Sequence, residues 1–160
     1  MLLSTTGATE TLYTAASLTR GTTYKFKVLA SNLAGDSSAT ETVSFTAAEA
    51  PGAPTSIVRL SYDSQPSIKI GWTAPIDNGG SPTTIDYEVY SDNGLAQGYS
   101  LIVGTTAGAT SYTATGLTAG TTYFFRLKTT NEVGTSAFSS TQSFLAGSIP
   151  SEPRALTIDS

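Results

Sequence analysis

The chain spells one pattern twice. "LTRGTTYKFKVLASNLAG", residues 18–35, returns as "LTAGTTYFFRLKTTNEVG", residues 117–134. The differences 117−18, 123−24, 131−32 and 144−45 all equal 99, and the same offset carries Pro51 onto Pro150 and Pro54 onto Pro153. Compared without a gap, residues 2–61 and 101–160 are identical at 24 of 60 positions. A period of 99 residues is far longer than a solenoid unit of roughly 20–50. It is the size of one small domain.

The register divides the chain into the C-terminal half of one unit (1–48), a linker (49–53), a complete unit (54–147), and a second linker with the first strand of a third unit (148–160). Met1 falls opposite Ser100, in mid-unit, so the sequence reads as a window on something longer. Short Pro-bearing junctions favour a semi-rigid rod over freely swinging beads. Residues 1–48 supply only the later strands of a unit. Alone these would leave a bare sheet face and open edges, so their completion is expected from upstream chain or from a copy donating a segment such as 149–160.

Within the complete unit, apolar residues alternate rather than recur at helical spacing. Ile68, Ile70 and Trp72 share one face of "SIKIGW", with Ser67, Lys69 and Gly71 on the other. Ile85, Tyr87 and Val89 do the same in "TIDYEVY", and Tyr123, Phe125 and Leu127 in "TTYFFRLKT". "TSIVRL", "SLIVG", "SYTATGL" and "FSSTQSF" complete seven strands. Seven short strands, each with one apolar face, are most economically closed as two packed sheets. A unit of this size buries roughly 60–70% of its unfolded surface, enough for one core without staples.

Two groups of residues together resemble the fibronectin type III family. Trp72-x-x-Pro75, Gly79-Gly80-Ser81-Pro82 and Tyr87-x-Val89 resemble its front half. Leu117-x-x-Gly120-Thr121-x-Tyr123, then Asn131-x-x-Gly134 and Ser136, resemble its back half. The resemblance implies an all-β array of tandem immunoglobulin-like sandwiches. It also implies a tyrosine corner in each unit: Tyr123 and Tyr24 bury their rings and bond backbone upstream through their hydroxyls. In that corner Leu117 and Leu18 plug the core, and Gly120 and Gly21 allow the bend. The family often has Pro before that Gly; here Ala119 and Arg20 stand there, which loosens the turn.

Chemistry is sparse. With no Cys and no His, the chain has no thiolate or imidazole metal ligands, no Cys- or His-based nucleophilic triad and no disulfide. A charged fraction of 12% and a net charge of −4 offer no basic patch for nucleic acid or an anionic membrane surface. No stretch approaches the ~20 apolar residues of a membrane span. The carboxylates at turns (Asp77, Asp92, Glu132) sit in Asp-Asn-Gly and related strings that tight turns require. The strings do not continue as an EF-hand loop. No catalytic residue, cofactor or metal site is expected. Arg-Gly-Asp, which the family's loops sometimes carry, is absent; the nearest string is Ala34-Gly35-Asp36.

The expected function is therefore a non-catalytic structural or adhesive repeat protein of an extracellular or cell-surface filament. Its partners would be neighbouring repeats, copies of itself, other surface proteins or glycans. The alternatives are a receptor's ligand-binding module, a spacer in a larger secreted enzyme, and an intracellular rod of the muscle-giant type. A receptor module would use the loops at 76–82, 104–110 and 131–136, with Asp77, Asn78, Asn131 and Glu132 in contact with ligand. Outward aromatics Tyr90, Phe124 and Tyr99 could add a lateral contact. Thr and Ser make up 28 plus 21, or 49, of the 160 residues. The pairs Thr22-Thr23, Thr105-Thr106, Thr121-Thr122 and Thr129-Thr130 are candidate O-glycan acceptors, whereas no Asn-x-Ser/Thr sequon occurs.

Overall fold

The computed structural model describes residues 10–63, 65–95, 98–104 and 106–153, and among these it contains strands and no helix. The leading half unit contributes β1 (Thr23–Phe26), β2 (Ser31–Asn32), β3 (Gly35–Asp36) and β4 (Val43–Thr46). The complete unit contributes β5 (Thr55–Ser61), β6 (Ile68–Thr73), β7 (Asp86–Ser91), β8 (Ser100–Val103), β9 (Ser111–Ala114), β10 (Thr122–Thr130) and β11 (Gln142–Leu145). Its strands form a three-stranded sheet, β5-β6-β9, and a four-stranded sheet, β11-β10-β7-β8. All pairings are antiparallel.

Period-two burial closes the two sheets on each other. Along β10 every second side chain is buried, from Tyr123 through Phe125 and Leu127 to Thr129. Register sets Leu127 opposite Val89 and Tyr123 opposite Phe144. One cluster joins Ile57, Ile68, Ile70, Trp72 and Ala114 of the first sheet to Tyr87, Val89, Tyr123, Phe125 and Leu127 of the second. The Trp72 and Tyr87 rings meet edge-on, 5.3 Å between centroids. Each such side chain contributes about 1.5–3 kcal/mol on burial, so this cluster dominates the stability of the unit.

Both tyrosine corners make the same hydrogen bond, but only Tyr123 buries its ring as expected; Tyr24 is half-buried because, among the described residues, the leading half unit has no second sheet over it. The Thr118 N–H donates to Tyr123 Oη at 3.1 Å, and the Thr19 N–H donates to Tyr24 Oη at 2.8 Å. Gly120 and Gly21 turn the chain at φ of 78° and 77°, where an L side chain is strained. Leu117 packs half-buried against the core, and Leu18 is half-buried as well.

The leading half unit has a bare face. Its β1–β4 pair sets Tyr24 opposite Phe45 and Phe26 opposite Val43. Val28 is 68% exposed, whereas Leu127, its counterpart 99 residues on, is fully buried. Residues 154–160, most of the expected first strand of a third unit, lie outside the described residues. Just before them, the Ile149 N–H donates back to Asp63 O at 2.9 Å.

The alternation around β6 holds, and two other expectations need correction. Ser67, Lys69 and Gly71 lie opposite the Ile68, Ile70 and Trp72 face as the alternation predicts, and Ser67 and Gly71 are themselves covered there. Ser67 is 3% exposed and donates to Asp63 Oδ2 at 2.7 Å, while Gly71 is covered by Leu60, whose Cδ2 would lie 2.9 Å from an added Cβ. The last strand is shorter than "FSSTQSF", because Ser139 Oγ turns inward to accept the Leu127 N–H and ends regular pairing there. Thr129 cannot accept a glycan in the folded unit, since it is fully buried on the core side of β10.

Candidate functional site: the joint between units

The residues proposed as a ligand-binding loop come together at one end of the complete unit, against the linker. Asp77 and Asn78 build two successive side-chain-capped turns, with Asp77 Oδ1 accepting the Gly79 N–H and Asn78 Oδ1 the Gly80 N–H, both at 2.9 Å. Asn131 closes its own loop by accepting the Val133 and Gly134 N–H groups through Oδ1. Its Nδ2 then reaches out to donate to Glu49 O at 2.7 Å and to Asn78 O at 3.1 Å. Two backbone bonds run alongside, Glu49 N–H to Gly79 O at 2.8 Å and Gly52 N–H to Asp77 O at 2.9 Å. Pro51 and Pro54 are buried. The linker is thus bonded into the complete unit as part of its fold.

The preceding unit sits on the same turn. Arg20 donates to Asp77 Oδ2 at 2.7 Å and lies 3.5 Å from Glu49 Oε2. A Cβ added to Gly80 would lie 2.6 Å from Arg20 Cγ and 2.8 Å from Gly21 N; one added to Gly79 would lie 2.0 Å from Glu49 O. Only glycine admits so close a backbone approach. The Gly79-Gly80 pair therefore serves the neighbouring unit as well as the turn.

Charge is arranged to match. Asp77 is held below the usual carboxylate range, first by the Gly79 N–H and then by Arg20. Glu132 is lowered because Ser81 Oγ and then Thr83 Oγ1 donate to its carboxylate. Glu132 fastens the 81–83 segment rather than meeting the linker.

The third expected loop, 104–110, is separate and pinned from below: Asp86 Oδ1 accepts from Thr106 N, Thr106 Oγ1 and Gly108 N. Thr105 lies outside the described residues. Of the remaining hydroxyl pairs, Thr22, Thr23 and Thr122 are exposed and Thr121 and Thr130 are half-buried. Thr106 is engaged by Asp86.

The outer face of the four-stranded sheet carries a stack that sequence reading only partly captured. Arg126 lies over Tyr99 at 3.9 Å and over Phe138 at 3.7 Å. Phe138 meets Tyr90 edge-on at 5.0 Å, and Lys128 caps Phe138 at 4.5 Å. Tyr90 donates to Glu88 Oε2 at 2.8 Å. The aromatics point away from the core, yet they are half-covered by these cations. The shallow groove on the other sheet, bordered by Val58, Leu60, Gly71, Thr110 and Ser111, has no titratable side chain in its lining. Among the described residues no cluster of His, Cys, Asp or Glu could hold a metal ion. No helix among them is long and apolar enough to cross a membrane.

The wider kinship agrees with this architecture. Residues 52–144 match the family model of the fibronectin type III domain. The chain is 37% identical over 137 residues to Chitinase A1 of Niallia circulans, covering 81% of this chain and 18% of that protein. It is 32% identical over 132 residues to Exoglucanase B of Cellulomonas fimi, covering 79% of this chain and 11% of that protein. It thus spans less than a fifth of either relative. A crystal structure of titin domains superposes with a TM-score of 0.65 at 27% identity, over 81% of this chain and 43% of that one. By its matched residues, its two-sheet fold and its paired tyrosine corners, the chain belongs to the fibronectin type III family.

Proposed function

We propose that the chain is a non-catalytic spacer, a run of rigidly jointed units that fixes distance and direction between other parts of a longer protein. One observation carries this reading. The loops around 76–82 and 131–134, which would face a ligand in a receptor module, are engaged in holding the linker and the Arg20–Gly21 turn. Replacement of residues 54–147, within the parent protein, by an unrelated β-sandwich of equal length tests it. Retained function of the parent supports the spacer reading; lost function would move the role to the loops.

A second reading is favoured by the named relatives. Similarity to a chitinase and an exoglucanase supports a spacer attached to a polysaccharide-degrading enzyme. Similarity to titin supports a filament of many units. The complete reading frame separates them: a catalytic domain in frame favours the first, dozens of similar units the second. An extracellular setting, with O-linked sugars on exposed Thr22, Thr23 and Thr122, is supported by the hydroxyl-rich, sparsely charged surface. Intact-mass measurement on native material tests this, and a mass equal to the bare polypeptide removes the glycans.

A further inference from the structure

The two equivalent turns, 18–21 in the leading half unit and 117–120 in the complete unit, differ at one decisive position. In the 99-residue register Arg20 corresponds to Ala119, Gly21 to Gly120, Ala47 to Ala146 and Glu49 to Ser148. The backbone of the two turns is the same. Gly21 N–H donates to Ala47 O and Gly120 N–H to Ala146 O, both at 2.8 Å, and Thr22 N–H to Thr19 O and Thr121 N–H to Thr118 O, both at 3.2 Å. The surface offered to a following unit therefore has the same shape at both turns and differs only in side chains. One turn carries Arg20, which joins Asp77 and Glu49; the other carries Ala119 beside Ser148, with neither the cation nor the acid.

We propose that residue 20 determines how firmly a joint is locked and which neighbour it accepts: the Asp77-Asn78-Gly79-Gly80 turn prefers an Arg-bearing unit to an Ala-bearing one. This inference rests on the spacer reading and deepens it. A backbone docking surface common to both turns provides the hinge, and a single ion pair sets its stiffness. Joints built on turns such as Ala119–Gly120 bend more readily, so stiffness along the rod is written repeat by repeat. Arg20 and Asp77 have side chains 43% and 47% exposed, so the lock is screened by salt. Screening length falls from about 10 Å at 0.1 M to about 3 Å at 1 M.

The Glu49 amide reports the joint, because opening it breaks the bond from that N–H to Gly79 O. Hydrogen exchange at Glu49, read by NMR on the whole chain with the Leu127 amide as core reference, tests the proposal. Arg20→Ala should lower Glu49 protection roughly two- to fivefold, the range of an exposed pair, and leave Leu127 unchanged. Salt at 1 M should do the same to the parent and have no further effect on Arg20→Ala. Arg20→Lys should keep the salt response, and Ala119→Arg should leave Glu49 protection as it was. Equal protection in parent and Arg20→Ala, or the same salt response in both, overturns the lock while the spacer reading stands. A Glu49 amide unprotected in the parent at every salt concentration overturns both.

Discussion

Asn131 Nδ2 and Glu49 O lie 2.7 Å apart, a hydrogen bond that spans 82 residues of chain and ties the last inter-strand loop to the linker. The same nitrogen also reaches Asn78 O. Because Asn131 is only 9% exposed, removing its amide strands acceptors with little access to water. Asn131→Ala should cost about 1–3 kcal/mol in denaturant unfolding of the complete unit. Asn131→Asp should cost at least as much, since it sets a carboxylate against two carbonyl oxygens. A variant as stable as the parent would show that the bond is dispensable.

A glycine of the joint and one of the 117–120 turn differ in what they do, and alanine separates the cases. At Gly79, with φ of 80°, an added Cβ would lie 2.0 Å from Glu49 O, whereas at Gly120, with φ of 78°, nothing lies within 4 Å. Both substitutions carry the strain of the left-handed conformation, about 1–2 kcal/mol. Only Gly79→Ala adds a clash with the linker. The expected order in thermal unfolding is parent, then Gly120→Ala, then Gly79→Ala, with the Glu49 amide losing protection only in the last.

Much of this architecture can be read from residue types. The 99-residue period, the alternating strands, the Trp72 and Tyr123 core positions and the tyrosine corner all show in the sequence, because each depends on residue type at local or repeated spacing. The joint does not show in that way. Its acceptors are the backbone oxygens of Asp77, Asn78, Gly79 and Glu49, and a carbonyl leaves no mark in the sequence. Arg20 meets Asp77 across 57 residues with no periodicity to announce it. One signal was available: "DNGG" at 77–80 carries a second glycine that "DNGL" at 92–95 lacks. Alternation along β10 places Thr129 on the core side, whereas its adjacency to Thr130 in the sequence suggests a surface pair.

Trp72 is the core's test case. Its ring packs edge-on to Tyr87 within a cluster drawn from both sheets. Trp72→Ala should cost about 3–5 kcal/mol by core deletion, visible as a lowered denaturation midpoint. A melting temperature within a degree or two of the parent would contradict the assignment of this core.

The joint should respond to acid with a definite sign. Asp77 within the joint, and Glu132 indirectly through the 81–83 segment that follows the 77–80 turn, both have carboxyls lowered by groups that donate to their charged forms. Their contribution is complete above the ordinary carboxylate values of about 3.9 and 4.3. It is lost as pH falls through the lower folded values. Glu49 amide protection, corrected for intrinsic exchange, should be flat between about pH 7 and 5 and fall below about 4. Loss of protection at pH 6 would contradict the assignment to these carboxylates.

The leading half unit should be the less protected part of the chain. Val28 and Phe45, 68% and 61% exposed, lack the covering that Leu127 and Phe144 receive in the complete unit. Amides of β1 should therefore exchange faster than those of β10. Protection equal to that of β10 would show that other strands, from upstream chain or a second copy, cover this face.

The linker belongs to the fold of the complete unit. Backbone relaxation at Glu49 and Gly52 measures this most directly, since both N–H groups are bonded to the 77–79 turn. Order parameters near 0.85 are expected at both amides, as in rigid strands. Values below about 0.6, the range of a flexible segment, would contradict it.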